Sequence, residues 1–335
     1  MDSKLGIIGF GRIGQVHAKC LLQQIEGAKL AAISDPFLNE AHITWLKNHG
    51  ATHVQTHLEA EKILADPSIT AVLICSSTDT HAEYIQKAAE AGKHIFCEKP
   101  VDFDTRRIQE TLAVVARAGV QLQIGFNRRF DHNFMQLRHA VESQKIGQPQ
   151  LLKITSRDPA PPPLEYLKVS GGLFLDMMIH DFDMARFLCG EVESLQALGT
   201  CLIDPQIGRA GDVDTAIVTL QFRNGALGVI DNSRQAAYGY DQRAEVLGSE
   251  GMALSDNDYA HAVRFFNAEK TESDKPLYFF LERYLPAYTL ELQSFARAVR
   301  KGLPVEVSGE DGLRATELGL AAKESLASGG TVVRL

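Results

Sequence analysis

The sequence predicts an α/β chain of two domains: a doubly wound parallel sheet over residues 1–124, then an α+β domain over 125–335 with a large, mainly antiparallel open sheet. Three observations carry this. Short β-branched runs alternate with helix-length amphipathic segments up to residue 124, and a Gly-x-Gly-x-x-Gly stretch directly follows the first of them. Beyond residue 124, strand-like runs succeed one another across turns without helices between them.

In order, "KLGIIGF" precedes a helical pattern at 12–25, "KLAAISD" one at 37–49, "AVLICSS" one at 79–91 and "KHIFCEKP" one at 104–118, with "VQLQIGF" last. Strands separated by helices of this length require right-handed crossovers, which cover both sheet faces. The unbroken apolar character of "LGIIG" and "AVLIC" suits strands buried on both sides. In such a sheet ligands bind beyond the carboxyl ends of the strands.

Four strand ends therefore carry the first set of candidates. In Gly9-Phe10-Gly11-Arg12-Ile13-Gly14, Gly9 permits a tight turn, Gly11 lets a pyrophosphate approach the backbone, and Gly14 lets the following helix pack on the strand. Asp35, 21 residues beyond Gly14, is placed to accept hydrogen bonds from an adenosine ribose and to repel a 2′-phosphate, favouring NAD over NADP. The alternative for Asp35 is a turn residue before Pro36. Ser76, Thr78 and His81 in "CSSTDTH" face the same crevice, or Thr78 or Asp79 is simply a helix N-cap. Glu98 and Lys99 in "CEKP" complete the set: an ammonium there can hold a hydroxyl or stabilise a developing alkoxide. Their alternative is a pair of solvated loop charges before a helix capped by Asp102 or Asp104.

In the second domain "LLKITSR", "VESLQALGTCLI", "DTAIVTLQF", "GALGVIDNSR", "QRAEVLGS" and "GMALSD" read as strands, with turns such as Arg223-Asn224-Gly225. An open apolar face of such a sheet calls for a neighbouring subunit. The run "GGLFLDMMIHDFDMARF" (171–187) reads as a helix with positions 176, 180, 183 and 187 on one face, which stacks Asp176 and His180 one turn apart. A carboxylate beside an imidazole fixes its tautomer. Alternatively Asp176 caps the helix after Gly171-Gly172 and His180 is a core histidine.

Bulk properties narrow the partners. The 335 residues, 45% hydrophobic and 23% charged, suffice for two cores. A net charge of −8 leaves no basic surplus for nucleic acid. No stretch reaches the roughly 18 apolar residues of a membrane span, and no signal-like segment opens the chain, so a cytoplasmic protein is expected. Five cysteines without C-x-x-C spacing read as buried reduced thiols, and no metal site is expected.

The glycine turn, "EKP" at 98–100, "GFNRRFD" at 125–131 and the G-G-x-x-x-D-x-x-x-H-x-x-D segment at 171–183 together resemble the Gfo/Idh/MocA oxidoreductases, most closely the inositol-oxidising branch. The likeness runs through "EVLGSEG" to the final "EDGLRATELGLAAKESLASG". It implies a Rossmann domain, NAD as cofactor, and oxidation of a cyclic polyol, myo-inositol first. A scyllo-inositol or aldose dehydrogenase is the enzymatic alternative, and an NAD(P)-binding sensor without turnover the remote one. It also implies His180 as general base, Asp176 orienting substrate and imidazole, Lys99 polarising the reacting oxygen, and a homo-oligomer formed through the sheet. Asp183 is expected to support the helix. Polyol recognition needs further polar groups, for which Asn127, Asp158, Tyr238 and Tyr284 are the candidates. Core packing competes for both tyrosines, and a carboxylate pair for Arg129. Some inositol dehydrogenases carry Met where this chain has Asn127.

Overall fold

The computed structural model describes residues 2–23 and 25–335. The chain forms two compact units, one made of Met1–Phe130 with Pro286–Thr316 and the other of Asp131–Leu285 with Glu317–Leu335. The first unit is thus discontinuous, where the sequence reading drew one boundary between residues 124 and 125.

The first unit contains a six-stranded parallel sheet: β1 (Ser3–Ile8), β2 (Ala28–Ser34), β3 (Gln55–His57), β4 (Ala71–Ile74), β5 (His94–Glu98) and β6 (Leu122–Gly125), in the order β3-β2-β1-β4-β5-β6. The crossovers carry α1 (Arg12–Leu22), α2 (Glu40–Asn48), α3 (Glu61–Leu64), α4 (Thr78–Glu90) and α5 (Thr105–Ala118). The three-residue strand β3, with two of its residues exposed, has no apolar run to announce it in the sequence. Ile7, Val72, Leu73, Ile74, Ile95 and Phe96 are buried without remainder. Each such side chain stabilises the fold by about 1.5–3 kcal/mol relative to exposure. Asp104 caps α5 by accepting from the Arg106 amide, and Gly119 ends it at φ 68°.

The physical reason for the returning segment 286–316 is the edge of β6. The Ile124 amide donates to the Val307 carbonyl at 3.0 Å, and Gln123 Nε2 donates to the Glu291 carbonyl at 3.0 Å. Without these partners the outermost strand of the parallel sheet would leave buried backbone and amide groups unpaired.

The second unit opens with α6 (His132–Glu142), capped by Asp131, and holds a seven-stranded sheet. In chain order its elements are β7 (Pro149–Arg157), α7 (Leu164–Leu167), α8 (Leu173–Asp176), α9 (Ile179–Cys189), β8 (Val192–Thr200), α10 (Pro205–Arg209), β9 (Thr215–Phe222), β10 (Leu227–Ser233), β11 (Asp241–Gly248) and β12 (Met252–Ser255). A small hairpin, β13 (Arg264–Phe266) and β14 (Thr271–Ser273), follows, then α11 (Phe280–Lys301), which belongs to the first unit from Pro286 on, α12 (Gly309–Ala327), which belongs to the second unit from Glu317 on, and β15 (Val333–Arg334). The sheet order is β12-β11-β7-β10-β9-β8-β15, with only β7 and β10 parallel. Strand β9 alternates strictly, burying Ala216, Val218, Leu220 and Phe222 while Ile217, Thr219 and Gln221 face outward.

One predicted element is not continuous. The segment 171–187 is two helices, α8 and α9, parted at Met177–Met178. The Met178 amide reaches back five residues to the Leu173 carbonyl, and the His180 and Asp181 amides reach only three, to Met177 and Met178. This breaks the i to i−4 ladder between Asp176 and His180, so the two do not occupy successive turns of one regular helix.

Candidate active site

The glycine turn is built by backbone geometry. Gly9 sits at φ 93°, donates to the Ser34 carbonyl at 2.8 Å, and would bring a Cβ to 2.5 Å from the Ser76 amide nitrogen. A Cβ on Gly14 would overlap the Gly9 carbonyl oxygen. On Gly11 it would meet nothing within 4 Å. Two glycines are therefore demanded by the protein itself, and the third leaves open space against an exposed backbone at the start of α1, which is what an entering pyrophosphate needs. Arg12 is exposed and Ile13 half-buried at that helix start.

Asp35 has both oxygens engaged locally: Oδ2 accepts the Phe10 amide at 2.7 Å and Oδ1 the Phe37 amide at 2.8 Å. It is thus the turn residue before Pro36 and also a tie to the glycine turn, and each oxygen retains a lone pair for a ribose hydroxyl. These residues fit a bound NAD.

The other strand ends behave differently. Ser76 Oγ lies 2.7 Å from Thr80 Oγ1, and Thr78 opens α4, whose N-cap Ser77 makes no side-chain cap bond. His81 is buried, with Nδ1 2.8 Å from the Pro100 carbonyl and Nε2 3.0 Å from the Ser76 carbonyl. Burial depresses its pKa while the two carbonyls pull the other way. His81 is a brace between the end of β4 and the segment after Lys99, a role the sequence reading did not assign. Glu98, 9% exposed, turns inward to His17 Nε2 at 2.5 Å, so it is not a solvated loop charge. Lys99 is half-buried beyond the end of β5. Asn127 is buried in the short 3₁₀ turn Asn127–Phe130, and Arg129 pairs with Asp311 at 2.9 Å.

In the second unit Asp176 is the centre of a polar network. Tyr166 donates to its Oδ1 at 2.8 Å, and Arg234 Nη1 lies 3.4 Å from its Oδ2. Arg234 is fully buried on the run that follows β10, and its other terminal nitrogen stands 3.8 Å from Asp212. Asp212 rather than Asp176 caps α8, accepting the Leu173 amide at 3.0 Å, and Gly172 at φ 80° brings the chain so close that a Cβ would stand 2.7 Å from Asp212 Oδ1. Half-buried Asp176 is thereby released from the capping role that a lone Asp after two glycines suggests. His180, half-buried, lies in the first turn of α9. The adjacent Asp181 accepts from Asn232 Nδ2 at 2.9 Å, which pins α9 to the sheet, and Asp183 is buried.

The remaining candidates divide. Asp158 is half-buried and its carbonyl accepts the Ala236 amide at 2.7 Å. Tyr238 is exposed; its hydroxyl donates to Asp241 at 2.5 Å and accepts from Arg157 at 3.1 Å. Burial and the Asp241 carboxylate raise its pKa. Tyr284 is buried, its ring edge-on to Tyr240 at 5.9 Å with the Arg283 guanidinium 5.0 Å from its centroid, which is core packing. Sequence reasoning missed Tyr166, Asp212 and Arg234. The signal for Arg234 was a cation closing the strand run "GALGVIDNSR".

A glycine turn of this geometry, with an acidic second strand end, defines a dinucleotide-binding α/β protein. Residues 3–126 match the family described as "Oxidoreductase family, NAD-binding Rossmann fold", and residues 134–254 match the GFO/IDH/MocA C-terminal domain. The chain belongs to the GFO/IDH/MocA oxidoreductases, and NAD is its cofactor. It is 50% identical to the myo-inositol 2-dehydrogenase of Thermotoga maritima over 96% of each chain. It is 45% identical to the inositol 2-dehydrogenase of Rhizobium meliloti over 98% of each. The crystal structure of scyllo-inositol dehydrogenase from Lactobacillus casei, with bound NAD(H) and scyllo-inositol, superposes with a TM-score of 0.90 at 31% identity, covering 100% of this chain and 99% of that one.

Proposed function

We propose that this protein oxidises myo-inositol to the 2-ketone, with NAD as oxidant, as a step of polyol catabolism. The observation that carries this reading is the Asp176 carboxylate, held by Tyr166 and Arg234 and one helix break from His180, in a chain half identical to a myo-inositol 2-dehydrogenase. His180 accepts the proton of the reacting hydroxyl. Asp176, already anchored on two sides, orients the substrate hydroxyls and the imidazole. The Lys99 ammonium holds the reacting oxygen as charge develops on it. Bound NAD supplies the hydride acceptor. Asn127, Asp158 and Tyr238 are the further hydroxyl partners. The L. casei scyllo-inositol complex supports scyllo-inositol as a second reading.

The test is a panel of myo-, scyllo- and chiro-inositol and glucose with NAD or NADP, following NADH absorbance. The reading expects the highest kcat/KM with myo-inositol and NAD. Turnover of glucose alone would overturn the substrate, and no turnover with any polyol would overturn the reaction.

The reading includes a cytoplasmic homotetramer. Among the described residues no helix is long and apolar enough to cross a membrane. Leu227, Leu151, Leu247 and Met252 are exposed and lie in register across four neighbouring strands, an apolar row that a second copy of the chain would cover. Sedimentation of a monomer at micromolar concentration would refute the assembly.

A further inference from the structure

Three ionisable side chains meet inside the first unit: His17 on α1, Glu98 at the end of β5 and Glu291 on α11. His17 and Glu291 are fully buried. The ligating atoms of all three lie within 4.8 Å of one another. The phenyl edge of Phe96 and the ring of Tyr288 approach the imidazole at 5.1 and 5.6 Å between centroids, so its surroundings are dry. Glu98 is also confined by β6, where a Cβ on Gly125 would be 3.2 Å from its carboxyl. Among the described residues, both Glu291 oxygens and His17 Nδ1 make no hydrogen bond.

A buried, unbonded carboxylate is too costly to remain ionised. A shared cation or a retained proton would relieve it. Spacing separates the two. Ligands about 2.0–2.1 Å from one zinc-sized ion stand about 2.9 Å apart even at a right angle. The 2.5 Å between His17 Nε2 and Glu98 Oε1 is too close for that and is a short hydrogen bond.

We propose that Glu291 is kept as a neutral carboxylic acid beside the Glu98 carboxylate, whose charge it would otherwise oppose, so that the hydrogen bond from His17 clamps Glu98 and thereby positions Lys99, the next residue in the chain. The proposal rests on the reading of Lys99 as the group that holds the reacting oxygen. The same hydrogen bond joins α1, whose first turn receives the pyrophosphate, to the strand end that presents Lys99. Burial and then the Glu98 charge push the Glu291 carboxyl well above the usual range. Cys20 and Cys75 feel Glu291, while Cys75, Cys97 and His81 feel Glu98. Burial raises all three thiols, and for the imidazole it opposes the pull of the two carbonyls.

Two arms test the acid without turnover. A carboxyl protonated in the fold and ionised in the unfolded chain makes the native state bind more protons, so stability falls as pH rises above the usual glutamate range. Glu291→Gln removes that slope, and its Tm relative to wild type is expected to climb steadily from about pH 5 to 8. A Tm that instead drops further below wild type with rising pH would show an ionised, paired Glu291 and overturn the proposal. Infrared difference spectra of wild type against Glu291→Gln should contain a protonated-carboxyl carbonyl band; its absence, or a stoichiometric divalent cation in the purified protein, would equally overturn it.

The positioning arm uses Glu98→Gln and His17→Ala in wild-type-active enzyme. Each should lower kcat roughly ten- to a hundred-fold while the KM for NAD moves only a few-fold. His17→Gln, which keeps a donor, should recover part of the loss. Unchanged kcat in Glu98→Gln, alongside a large loss in Lys99→Ala, would refute the clamp and leave the dehydrogenase reading standing.

Discussion

The turn at Gly9–Gly14 and the segment Gly171–Asp183 each pass from glycine into a helix, yet they are held by different forces. In the first, everything is backbone: Gly9 bonds Ser34, Gly14 abuts the Gly9 carbonyl, and an eleven-residue helix starts at once. In the second, the helix lasts four residues, its cap comes from Asp212, 39 positions away, and Asp176 is oriented by Tyr166 and Arg234. A pyrophosphate is bound by N–H groups that any well-placed turn provides. A carboxylate used for chemistry must be gripped by side chains, and those come from wherever the fold brings them.

The contrast can be broken at either end. The largest effect belongs to His180→Ala, which should lower kcat by about two to four orders of magnitude if it is the general base. Steady-state rates with myo-inositol decide this, and a near-wild-type rate would return His180 to a packing role. Next is Arg234→Met, predicted to cost about a hundred-fold in kcat/KM because Asp176 loses its anchor, with NAD affinity unmoved. Equal losses in both would mean that the side-chain network is a stability element only.

A pair of glycine variants sharpens the backbone side. Gly14→Ala should destabilise the fold by about 1–3 kcal/mol, since the Gly9 carbonyl must shift. Gly11→Ala should leave Tm intact and weaken NAD binding about ten-fold, measured by calorimetry. The reverse pattern would mean that the open space at Gly11 is not where the pyrophosphate lies. Asp35→Asn is the mildest: one oxygen remains to accept from the Phe10 or the Phe37 amide while a donor NH2 faces the other, and the loss of a charged partner should cost NAD about ten-fold relative to NADP.

Legibility followed the range of the interactions. The five long strands of the parallel sheet, the antiparallel second sheet and the glycine turn rest on period, apolar runs and neighbouring residues, all visible in the chain. Strand β3 escaped because three residues carry no pattern. The helix break at Met177–Met178 escaped because an apolar run with polar residues at 176, 180 and 183 satisfies helical periodicity whether or not the ladder is intact. Tyr284 and Tyr238 were indistinguishable as tyrosines, and only packing separated a core ring from an exposed hydroxyl paired with Asp241.

By itself the sequence determined that this is an α/β protein with a dinucleotide turn, because those features depend on residues a few positions apart. Tertiary structure alone decided that Glu98 faces His17 and buried Glu291, that Asp212 caps α8, and that Arg234 grips Asp176. The partners in those contacts are separated by tens to hundreds of residues, and no local propensity encodes which charge will lie beside which.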